Sequence, residues 1–72
     1  MENLAQGVSA QTALCGILGW PVGHSLSPVL QNTLARRMGA DLCYGAFPVA
    51  SERLGEAVRG AYALGLLGLN VT

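Results

Sequence analysis

Thr12-Ala-Leu-Cys-Gly-Ile-Leu18 runs directly into Gly19-Trp-Pro-Val-Gly-His-Ser-Leu-Ser27 and then Pro28. This stretch decides the fold. Its first part is a continuous apolar run of strand length, without the alternation of a half-exposed strand. Such runs suit a strand covered on both faces, as in a parallel sheet. The second part, with two Gly, one Pro and two Ser, is a loop by composition. A helix is then expected, with Ser27 as its N-cap and Pro28 at the first helical position, where a missing N–H costs nothing. Leu30, Leu34 and Met38 recur every four residues as one apolar stripe. Arg36 and Arg37 fall in the last turn, where cations suit the helix dipole, and Gly39 is the expected stop.

Further along, Leu42-Cys-Tyr-Gly-Ala-Phe-Pro-Val49 reads as a second strand. Ser51 is expected to cap a second helix, with Glu52 in its first turn and Glu56 and Arg59 as an i,i+3 pair. Leu54, Ala57, Val58 and Ala61 would form its buried face, and Gly65 would end it. Gly65-Leu-Leu-Gly-Leu-Asn-Val-Thr72 supplies a third strand. The order is β-α-β-α-β. With right-handed crossovers in an open doubly wound α/β fold, the parallel strands order themselves 2-1-3, with a helix on each face. Residues 1–11 are polar and aperiodic, and are expected to be a flexible N-terminal extension.

Composition narrows the function. The 72 residues carry four Arg, no Lys and four acidic residues, for a net charge of zero. A nucleic-acid binder needs a basic cluster to neutralise phosphates, and there is none. With 51% hydrophobic and 11% charged residues, disorder is not expected. The apolar stretches are broken by Gly or Pro and fall short of the ~20 residues of a membrane span. The first residues hold Glu2 and no basic n-region, so a secretory signal is not expected and the cytoplasm is the default. Cys15 and Cys43 match no metal motif, and the single His24 cannot complete one.

The same numbers point to a piece of something larger. One core of ~70–80 residues or fewer rarely supplies more than ~3–5 kcal/mol. This chain is unusually apolar, uncharged overall and without an evident staple. The third strand would also be an edge with Leu66, Leu67, Leu69 and Val71 exposed, so more sheet is expected beside it.

In an open α/β sheet, ligands bind beyond the carboxyl ends of the strands, where strand order reverses. For the order 2-1-3 that point is the end of strand 1, with the end of strand 3 beside it. One crevice is therefore expected to gather Ser25, Ser27, Asn70 and Thr72, all uncharged hydrogen-bonding groups. The start of the first helix also favours an anion. A small polyhydroxylated acid suits this set. Two nucleotide motifs are rejected. Gly16, Gly19 and Gly23 lack the G-x-G-x-x-G spacing. Gly19 to Ser25 is one residue short of a P-loop and has His24 where that loop needs Lys.

Gly19-x-Pro21-x-x-His24-Ser25-x-Ser27-Pro28, followed by Gly68-x-Asn70-Val71-Thr72, resembles the substrate-binding N-terminal domain of shikimate dehydrogenases. The resemblance spans about Ala13 to Thr72, and the two motifs are specific in combination. It implies that Ser25 and Ser27 bind the carboxylate of shikimate, and that Asn70 and Thr72 lie at its ring hydroxyls. It implies NADP-dependent reduction of 3-dehydroshikimate to shikimate, a step toward chorismate and the aromatic amino acids. The family's catalytic Lys and Asp would lie beyond Thr72, and NADP would be bound by a further C-terminal domain. Residues 12–72 would then be an incomplete shikimate-binding domain, inactive alone, in an enzyme that is a monomer or homodimer. One departure is Gln31-Asn32, where the family commonly has His-Asn or His-Gln; Gln31 cannot titrate. The alternatives are a stand-alone binding module without chemistry, and a paralogue acting on quinate or an aminated analogue.

Overall fold

The computed structural model describes residues 7–72. Residues 1–6 of the expected extension lie outside the described residues. Ser9 to Thr12 forms a hydrogen-bonded turn, in which the Ser9 N–H donates to Thr12 Oγ1 and the Thr12 N–H to the Ser9 carbonyl. Three strands follow, β1 (Ala13–Gly19), β2 (Leu42–Pro48) and β3 (Gly68–Val71). They alternate with helices α1 (Ser27–Met38) and α2 (Leu54–Leu64), the latter preceded by a 3-10 turn at Ser51–Arg53. All pairings are parallel and the order is β2-β1-β3, as the doubly wound reading requires. Each strand lies within its expected stretch or one residue beyond it; β3 starts only at Gly68, because Leu66 N–H closes the end of α2 on the Ala61 carbonyl.

Register assigns the faces. Cys15 pairs with Tyr44 and Gly68, and Ile17 pairs with Asn70. Side chains alternate along a strand, so Cys15, Ile17, Tyr44 and Asn70 share one face. Ile17, Val22 and Tyr44 form its buried cluster, with Cys15 and Leu42 packed against it. Leu18, Phe47 and Leu69 lie on the opposite face, where they line a cleft of about 220 Å³ with Ala57, Gly60, Ala61 and Leu64 of α2. The Phe47 ring there lies across Gly16. A Cβ at Gly16 would sit 2.6 Å from both the Gly45 carbonyl oxygen and the ring, so only glycine fits. Cys15 and Cys43 are one residue out of register and so point to opposite faces.

Several local expectations are corrected. Ser27 is not the N-cap of α1: Leu26 occupies that position and no side chain caps it. The Ser27 N–H instead donates to Ser25 Oγ at 3.2 Å, so a hydroxyl two residues upstream serves the helix start. Ser51 likewise caps nothing, because the chain first winds one tight turn and enters α2 through Arg53. The ion pair of α2 is Arg53–Glu56 rather than Glu56–Arg59. Arg53 Nε and Nη2 grip the Glu56 carboxylate in a fork at 2.9 and 3.2 Å. Both helices end as expected, on glycines with left-handed φ, +69° at Gly39 and +78° at Gly65.

The apolar stripe of α1 does not face the sheet. Leu30, Leu34 and Met38 are 64%, 52% and 71% exposed, while Ala35 is buried. The cause is Asn32, one turn before Ala35. Its carboxamide makes two hydrogen bonds with the backbone of Tyr44 on β2, and that turns the leucines away. In α2, Ala61 is buried and Leu54 and Ala57 half-buried, but Val58 is exposed.

Candidate functional site

The candidate site lies at the carboxyl ends of β1 and β3. After β1 the chain turns through Trp20 and Pro21, whose peptide bond is cis, and buries Val22 against Ile17 and Tyr44. The Ser25 N–H donates to the Val22 carbonyl at 3.1 Å, which fixes the loop just before α1. Ser25 and Ser27 are both half-buried at the helix start. Because Ser25 Oγ accepts from the Ser27 N–H, its own proton is free to be donated. His24 is exposed.

Asn70 lies on β3 and Thr72 just past its end, two residues on. The Thr72 N–H donates to the Leu18 carbonyl at 2.9 Å, extending the ladder past the last strand residue. The Thr72 methyl lies against Gly19, in the space that a Cβ there would need. Asn70 Oδ1 accepts a 2.8 Å hydrogen bond from the Tyr44 hydroxyl, which reaches across β1.

The four residues do not share one wall. Asn70 lines a cleft of about 280 Å³ with Cys15, Gln31, Leu42 and Tyr44. Thr72 lines another of about 230 Å³ with Trp20, Ala50, Ser51 and Glu52. Neither has Ser25 or Ser27 in its lining. What they share is the same end of the sheet, the serines at the entry to α1 after β1 and the other two at the end of β3.

Two residues of this neighbourhood escape a sequence reading. Tyr44 reads as packing and is buried as packing, but its hydroxyl holds Asn70. Asn32 reads as a polar helix residue, yet it bonds the Tyr44 backbone through Nδ2 to the carbonyl at 2.9 Å and through Oδ1 from the N–H at 2.8 Å. The available signal was a tyrosine in an otherwise apolar strand, since a buried phenol usually has a partner.

Burial pushes the Cys15 thiol above the ordinary range, with the neighbouring Cys43 adding to it. Among the described residues no group of three or more His, Cys, Asp or Glu is placed to hold a metal ion. No helix among them is long and apolar enough to cross a membrane.

Residues 17–72 match the family model of the shikimate dehydrogenase substrate binding domain. The chain belongs to this family. A shikimate dehydrogenase (NADP(+)) from Anaeromyxobacter sp. (strain K) is 55% identical over 65 residues, covering 90% of this chain and 23% of that protein. Among solved structures, the shikimate dehydrogenase of Aquifex aeolicus is 49% identical with a TM-score of 0.87, over 90% of this chain and 24% of that one. The shikimate 5-dehydrogenase of Listeria monocytogenes, solved with shikimate and NAD, is 37% identical with a TM-score of 0.86, over 90% of this chain and 22% of that one. The chain thus spans under a quarter of the length of the shikimate dehydrogenases it matches, and what it shares with them is the substrate-binding fold.

Proposed function

We propose that this chain supplies the shikimate-binding part of a cytoplasmic NADP-dependent shikimate dehydrogenase, which interconverts 3-dehydroshikimate and shikimate. The observation that carries the reading is the family match over residues 17–72, which includes all four of Ser25, Ser27, Asn70 and Thr72. The geometry supports it. Ser25 has a free hydroxyl proton beside the start of α1, where backbone N–H groups favour an anion. A carboxylate held there accepts from Ser25 and Ser27. Asn70 on β3 and Thr72 just past its end then take ring hydroxyls.

The division of labour follows from what the chain contains. It has no Lys, so the proton transfers at the reacting alcohol are assigned to a Lys and an Asp elsewhere in the enzyme. The loop after β1 does not fit a dinucleotide. Pro21 stiffens it, its glycines lack the G-x-G-x-x-G spacing, and Val22 is packed against Ile17 and Tyr44. NADP is therefore assigned to another part of the enzyme, and this segment binds and orients the substrate.

The test is a chimera. The matching 65-residue segment of the Anaeromyxobacter enzyme is replaced by that of this chain, and shikimate-dependent NADP reduction is followed by absorbance. Turnover comparable with the parent is expected. A folded chimera that binds NADP but does not turn over shikimate would overturn the reading.

A further inference from the structure

Tyr44 is hydrogen-bonded to both α1 and β3. Its backbone N–H and carbonyl are held by the Asn32 carboxamide of α1, the helix that opens with Ser27. Its hydroxyl crosses β1 to Asn70 on β3. Tyr44 is buried, whereas Asn70 is exposed, and among the described residues this is the side-chain hydrogen bond that its carboxamide makes. A carboxamide has two chemically opposite ends, an acceptor and a donor. The Tyr44 hydroxyl takes the acceptor end, Oδ1, which leaves Nδ2 as the free end. The site therefore offers a donor at this position.

We propose that Tyr44 is a positioning residue: by donating to Asn70 Oδ1 it fixes the Asn70 carboxamide so that Nδ2 donates to an oxygen of the ligand. This rests on the function proposed above and deepens it, because it sets the polarity of the contact. The oxygen recognised by Asn70 is an acceptor, the lone pair of a ring hydroxyl or of the carbonyl it becomes on oxidation. Through Asn32 the same residue ties that donor to the helix that opens with Ser27, so the two halves of the site keep one spacing.

The test uses the chimera with Tyr44→Phe, Asn70→Ala and the double variant. Tyr44→Phe removes one oxygen and keeps the packing. It is expected to lower kcat/KM for shikimate by about two- to tenfold, the worth of one neutral hydrogen bond. In the Asn70→Ala background it should have no further effect, since the group it positions is gone. Side-chain amide relaxation gives a readout independent of activity. The Asn70 NH2 group should be ordered in the parent and become mobile in Tyr44→Phe. A full Tyr44→Phe effect persisting in Asn70→Ala, or unchanged Asn70 amide order, would overturn the proposal. If the parent chimera folds but lacks shikimate turnover, the functional reading falls. Loss of amide order in Tyr44→Phe would then still support the positioning role, and unchanged order would remove it.

Discussion

Replacing Asn32 by alanine should loosen the outer side of β2 more than any change to the larger residues of α1. The two hydrogen bonds that Asn32 makes, at 2.8 and 2.9 Å, go to the N–H and carbonyl of Tyr44, the groups that point away from β1. Its carboxamide thus pairs with β2 as one residue of a further strand would. A neutral hydrogen bond contributes about 0.5–1.5 kcal/mol, and a buried partner left unsatisfied costs about 1–3 kcal/mol. Tyr44 is only 6% exposed, so water replaces the lost partners poorly. Two bonds lost together therefore place Asn32→Ala at about 2–4 kcal/mol. Leu34→Ala, on the 52% exposed stripe, removes little buried surface in this segment and should cost less. Asn32→Asp is as damaging as alanine, because it keeps an acceptor for the N–H but sets a negative charge against the carbonyl. The assay is urea unfolding of the chimera, read as a fall in midpoint at unchanged slope, with hydrogen exchange at the Tyr44 amide. A loss below about 0.5 kcal/mol, within the range of ordinary surface substitutions, or an equally protected Tyr44 amide would refute the reasoning.

Ser25→Ala should raise KM for shikimate by about ten- to a hundredfold, the worth of one hydrogen bond to a charged group, with a smaller change in kcat; steady-state kinetics of the chimera decide, and an unchanged KM would reduce Ser25 to a turn residue. Gly19→Ala should lower kcat/KM by displacing Thr72, because the new Cβ would occupy the place of the Thr72 methyl; a crystal structure with Thr72 unmoved would contradict this. Cys15 should lose reactivity on folding: its thiol is raised by burial and then by Cys43, so at mildly alkaline pH the native protein should be alkylated more slowly than the unfolded chain. The sign for stability follows, since below the ordinary thiol range neither state is charged, and as pH rises past it the unfolded chain ionises first. Stability should therefore fall over the interval up to the raised value, and Cys15→Ala should flatten that fall in unfolding midpoints measured across the range.

Much of this protein is legible in its sequence because the signals are local. The unalternating run Thr12 to Leu18 names a strand covered on both faces, Pro28 sets the entry to a helix, and Gly39 and Gly65 end the helices with the left-handed φ that glycine allows. A β-α-β-α-β order with right-handed crossovers then leaves 2-1-3 as the natural arrangement, and with it the end of the sheet where Ser25, Ser27, Asn70 and Thr72 lie. What periodicity does not carry is the rotation of a helix about its axis when a polar residue outbids the apolar ones. Leu30, Leu34 and Met38 form the more regular stripe, but two hydrogen bonds from Asn32 to the backbone of Tyr44 decide which side of α1 meets β2. Nor does sequence spacing bring Tyr44 to Asn70. Twenty-six positions separate them, and only the register of β2 and β3 on either side of β1 puts the phenol within reach of the carboxamide. The fold class is written in short-range patterns of polarity and glycine. The pairing of one buried tyrosine with an asparagine two strands away is a product of strand register, which exists only once the sheet has formed.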